Sequence, residues 1–105
     1  MVLSLDLEIY HILVETYLLR GKKNARSREM LCALTGLTDR VVRQEIEELR
    51  SEGIFICTDE DGNGYYISED PMDVKRQYLK DLSRVCAISK RMKHERKFLK
   101  ARGAL

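Results

Sequence analysis

Thr38, Arg40, Arg43 and Gln44 stand close together in the chain, and they are side chains suited to the edges of base pairs. An Arg fork spans guanine O6 and N7, a Gln amide spans adenine N6 and N7, and a well-placed pair contributes roughly 1–3 kcal/mol of discrimination. A second group, Lys22, Lys23, Arg26, Ser27 and Arg28, offers cations and a hydroxyl of the kind that hold a phosphate backbone and set docking register. Catalysis has no comparable candidate. Neither His11 nor His94 stands in a Ser, Cys or carboxylate arrangement, and no Gly-rich phosphate loop is present. The chain therefore reads as non-enzymatic, with no catalytic residue.

Metal chemistry is equally poorly served. Cys32, Cys57 and Cys86 have no C-x-x-C spacing and read as free thiols facing apolar neighbours, so no cofactor and no metal are expected. Asp59, Asp61, Asn63, Gly64 and Asp70 match several places of a calcium loop. The run before them is strand-like and the twelfth place holds Asp where a bidentate Glu is usual, so an acidic turn is the better reading.

The candidate residues need elements to position them. Helical spacing of Ile9, Ile12, Leu13, Thr16, Tyr17 and Leu19 predicts a first helix over 5–19, with Ser4 as its cap and Gly21 at its end. A turn and a short extended segment follow over 22–26. Ser27 caps a second helix with Leu31 and Leu34 inward, which stops at Thr35-Gly36. Thr38 starts a third helix whose inward stripe is Val42, Ile46 and Leu49 and which Gly53 ends. That stripe turns Thr38, Arg40, Arg43 and Gln44 outward, and makes residues 38–52 a candidate recognition helix. Glu45, Glu47, Glu48 and Glu52 would repel phosphate, but they crowd the helix's C-terminal half. His11 is expected to pack on the first helix.

After Gly53 the β-rich run Ile54–Cys57, the turn formers 59–64 and Tyr65-Tyr66-Ile67 predict a hairpin. Its acidic tip is a poor composition for minor-groove insertion. Asp70-Pro71 then opens a long helix on which Tyr78, Leu82, Val85, Ser89, Met92 and Leu99 share one seam. That seam is longer than a three-helix core can cover, which makes Tyr78, Leu82, Val85 and Met92 candidates for dimerisation. The basic end of this helix, Lys90, Arg91, Lys93, Arg96, Lys97, Lys100 and Arg102, could meet nucleic acid or an acidic partner surface.

Net charge is only +2 over 105 residues, yet it is unevenly spread. Residues 1–58 carry a net −1, residues 59–74 carry six acids and no base, and residues 75–105 carry a net +9. At this length one modest core is the limit. Charges interrupt every apolar run and no basic region precedes a hydrophobic one near the N-terminus, so no membrane is expected and the chain reads as cytoplasmic.

The order helix, short strand, helix, turn, helix, hairpin implies an α+β, mainly α fold: a winged helix-turn-helix of three core helices and a β-hairpin wing over 1–70, with a long basic helix over 71–105. Asn24-Ala25-Arg26-Ser27-Arg28-Glu29, Thr35-Gly36-Leu37-Thr38-Asp39-Arg40, Glu48-Leu49-Arg50 and Gly64-Tyr65-Tyr66 resemble small prophage-borne winged helix-turn-helix proteins over roughly residues 20–90. Arg26 departs from the aliphatic residue more usual there. The resemblance implies a phage-type regulator of transcription or replication that binds double-stranded DNA. The homodimer is expected from the C-terminal seam. The alternative is a non-catalytic adaptor that uses the same fold in a phage replication or assembly complex.

Overall fold

The chain's middle is divided by its caps. Ser27 and Thr38, both extended, each accept a hydrogen bond from the backbone N–H three residues on, Met30 at 3.1 Å and Val41 at 3.3 Å. Between them Gly36 adopts φ +76°, a left-handed conformation that only glycine takes at little cost, and its N–H closes on Cys32 O. Two helices result, α2 (Arg28–Thr35) and α3 (Asp39–Ser51).

The computed structural model describes the backbone of residues 2–59 and 61–105 and the side chains of residues 9–59 and 61–105. The protein is α+β and mainly helical, with a small three-stranded antiparallel sheet. Before α2 come α1 (Val2–Tyr17), a 3-10 turn at Lys22–Asn24 and β1 (Arg26–Ser27). After α3 come β2 (Ile56–Thr58), β3 (Gly64–Ile67) and α4 (Pro71–Ala101). Two compact units are formed, Met1–Val74 and Lys75–Leu105. Among the described residues no helix is long and apolar enough to cross a membrane.

In the first unit Val14 of α1, Leu18 just after it, Leu31 of α2, and Val42, Ile46 and Leu49 of α3 form a buried cluster with Ile56 of β2. Burial of each contributes roughly 1.5–3 kcal/mol. The third-helix stripe is as the sequence predicts. Three local expectations are corrected. Ser4 lies inside α1 rather than at its cap. Among the described side chains Val14 of α1 and Leu18 just after it are buried, while Ile9 and Ile12 are exposed. Leu34 is also exposed: α2 is only eight residues long, and Leu31, with Thr35 one turn on, takes its inward side.

The sheet runs β1-β3-β2, with Arg26 opposite Tyr65 and Ile56 opposite Ile67. Gly64 pairs with Ser27 where a side chain has no room: a Cβ there would stand 2.7 Å from Asp59 Oδ2 and 2.9 Å from Ala25 Cβ. Arg50 ties the hairpin to α3. Its Nε donates to Ile56 O at 3.1 Å, Nη1 meets Glu47 at 3.2 Å, and the guanidinium lies 5.9 Å from the centre of the Tyr65 ring.

α4 starts on stacked caps. Asp70 Oδ1 accepts from Met72 N–H, Ser68 Oγ donates to Asp73 Oδ2, and Pro71 takes the first helical position, where no N–H is needed. Its 31 residues extend about 46 Å.

Candidate nucleic-acid interface

Burial of Val42, Ile46 and Leu49 sets the rotation of α3, and therefore which residues face water. Thr38, Arg40, Arg43 and Gln44 are all exposed on its N-terminal half. Thr38 Oγ1 is engaged as the helix cap, although its own proton remains free to donate. Asp39 sits between two cations: Arg28 Nε at 3.0 Å from Oδ1 and Arg43 Nε at 3.3 Å from Oδ2. All three are well exposed, so these pairs add little stability. They do orient both guanidinium groups beside the start of α3.

The proposed phosphate group is divided by the fold. Lys22 and Lys23 are exposed on the 3-10 turn. Arg26 is half-buried, and its Nη1 donates to Tyr17 O at 2.9 Å, answering a carbonyl at the C-terminus of α1. Ser27 Oγ is the α2 cap. Ser27, Arg28, Thr38 and Asp39 line an open cleft of about 840 Å³ that the hairpin closes with Asn63 and Tyr65.

The hairpin tip is a hydrogen-bonded turn. Asp59 Oδ1 accepts from Asn63 N–H at 3.0 Å, Asp59 N–H donates to Gly64 O, and Gly62 N–H donates to Asp59 O. The backbone N–H groups of Gly64, then Asn63, Gly62 and Asp61, hold the Asp59 carboxyl below its ordinary pKa. Among the described residues, no group of three or more His, Cys, Asp or Glu is placed to hold a metal ion. Cys32 is half-buried and Cys57 buried, whereas Cys86, expected among apolar neighbours, is exposed on α4.

Glu45 is the principal site correction. It is buried, and its Oε2 lies 2.9 Å from His11 Nδ1, while His11 Nε2 lies 2.9 Å from Glu52 Oε1. One imidazole of α1 thus bridges two carboxylates seven residues apart, Glu45 within α3 and Glu52 at its C-cap. The hydrogen bond to Glu52, and next that to Glu45, raise the His11 pKa above 6.5 against the opposing effect of burial. A sequence signal for this existed: Glu45 stands three residues after Val42 and four before Leu49, on the inward stripe.

On α4 the seam residues Tyr78, Leu82, Val85 and Met92 are all exposed, Tyr78 to 61% and Val85 to 58%. With Ser89 between Val85 and Met92, they recur at the alternating four- and three-residue spacing of a coiled-coil face. No family model, curated protein or solved structure matches the chain.

Proposed function

We propose that the first unit is a winged helix-turn-helix that binds double-stranded DNA sequence-specifically, with α3 in the major groove, and that the chain acts as a homodimer through the seam of α4. It would serve as a non-enzymatic regulator of transcription or replication of the kind phages encode. The reading is carried by one observation: the N-terminal half of α3 presents Arg40, Arg43 and Gln44 to solvent directly after the Gly36 turn. Electrostatics support it further. Glu45 is withdrawn from the surface and met by His11, and Asp39 is flanked by Arg28 and Arg43, so the acids that would repel phosphate are partly offset. Lys22, Lys23, Arg26, Ser27 and Arg28 are assigned to phosphates, and the acidic hairpin stays off the duplex.

The exposed α4 seam and the acids of residues 59–74 favour one competing reading, a protein adaptor. A duplex titration at several salt concentrations separates them, using a site selected from a random pool. Arg43→Ala should weaken the preferred site by roughly 1–3 kcal/mol and leave non-specific affinity unchanged. Absence of salt-dependent binding by the wild type even at about 50 mM salt would remove the DNA reading and leave the adaptor.

A further inference from the structure

We infer that the last three turns of α4 are a separate DNA-binding arm, which grips the phosphate backbone of duplex DNA without reading sequence. The apolar seam runs through Tyr78, Leu82, Val85 and Met92, with Ser89 between the last two. The next seam position is Arg96, flanked by Lys93 and Lys100, and only Leu99 follows it as an apolar seam residue. Coiled-coil pairing therefore stops near Met92, because continuing it to Leu99 would bury Arg96 and set like charges of two copies together. Residues beyond that point, about 14 Å of helix to Ala101, carry the arm.

The charge of this segment is lopsided. Lys93, Arg96, Lys97 and Lys100, with Lys90 and Arg91 just before the segment and Arg102 just after it, face a single acid, Glu95, which meets Arg91 at 3.9 Å. Successive residues turn by about 100°, so Lys93, Arg96, Lys97 and Lys100 fall on one stripe about 100° wide. Lys93 with Arg96 and Lys97, and Lys100 with Arg96 and Lys97, are like-charge neighbours at helical spacing, each of which disfavours the helix. The helix dipole offsets this only in the last turn. A polyanion laid along the segment removes the repulsion. The duplex backbone fits better than other anionic surfaces. A membrane-surface helix needs an apolar face, and here only Phe98 and Leu99 are large and apolar. A single-strand binder needs open aromatic faces, and the guanidinium of Arg102 lies 3.8 Å from the centre of the Phe98 ring.

The arm does not depend on α3 reading bases, and the test keeps the two apart. The full chain and the quadruple variant Lys93→Gln, Arg96→Gln, Lys97→Gln, Lys100→Gln are titrated with a random-sequence duplex over a range of salt, with sedimentation and circular dichroism as controls for assembly and helix content. Gln retains helix propensity. The variant should bind on the order of tenfold or more weakly at about 50 mM salt, with the slope of log affinity against log salt smaller by about two to four, near 0.9 for each phosphate no longer neutralised. Its ratio of specific to non-specific affinity should be unchanged. An unchanged slope in a folded variant overturns the arm while leaving α3 untouched. Loss of salt-dependent duplex binding in the variant, in a chain that prefers no sequence, upholds the arm and removes the α3 reading. Tighter binding to anionic vesicles or to single strands than to the duplex overturns the choice of ligand.

Discussion

Replacing His11 tests how the first unit is held together, because that residue is the only described partner of a buried carboxylate. The Glu45 side chain is 7% exposed and Glu52 56%, so the two interactions differ in consequence. The outer pair is worth about 0–1 kcal/mol. Removing the inner partner leaves a buried charge unanswered, a loss of about 3–5 kcal/mol in a fully buried pair. With His11 itself 23% exposed, about 2–3 kcal/mol is expected for His11→Ala. In a unit of this size that lowers Tm by about 10–20 °C. The pH dependence has a definite sign. The pKa of His11 is raised by folding, so its contribution is fully present below the unfolded value near 6.5 and is lost as pH rises through the higher folded value. Thermal unfolding of the wild type and of His11→Gln, which hydrogen-bonds but does not titrate, should therefore differ most below about pH 6.5 and progressively less as pH rises above it. A difference that stays constant or grows with pH would refute the bridged imidazolium, as would a Tm for His11→Ala within about 2 °C of the wild type.

Other perturbations address the seam and the sheet. Leu82→Glu places a charge on the exposed apolar face of α4, and should convert a micromolar dimer to a monomer in sedimentation; a wild type that is already monomeric there removes the homodimer. Gly64→Ala forces a Cβ against Ala25 and Asp59 and should cost about 1–3 kcal/mol by overpacking. An unchanged melting curve would mean that β1 and the hairpin part easily.

The residues that make local structure are legible in the sequence. Ser27, Gly36 and Thr38 act on their own backbone neighbours, so each position carries its own signal, and the stripe of α3 is long enough for periodicity to fix its phase. α2 is too short for that, and periodicity alone puts Leu34 on the wrong side. On α1 a choice between two apolar faces, one led by Ile9 and Ile12 and the other by Val14 and Leu18, is made by packing against α2 and α3, which no local pattern encodes. The same holds for the His11 bridge, whose ends lie 34 and 41 residues apart. Glu45 on an inward stripe signals a buried acid but cannot name its partner.

The anchoring of α3 bears directly on how a face on it could discriminate among ligands. Its C-terminal half is held in three directions: Leu49 enters the core, Glu45 and Glu52 are bridged by His11 of α1, and Arg50 reaches Ile56 O in the hairpin. Its N-terminal half enters the core at Val42 and otherwise carries the Thr38 cap and the Asp39 ion pairs, of which the ion pairs are exposed and easily exchanged for a ligand's own groups. A helix fixed in this way cannot rotate about its axis without breaking the core and both tethers. The backbone positions of Arg40, Arg43 and Gln44 are therefore set before any partner arrives, while their side chains remain free to adjust. Direct readout needs that combination, since a bidentate pair loses its selectivity when the backbone carrying it can follow the wrong base.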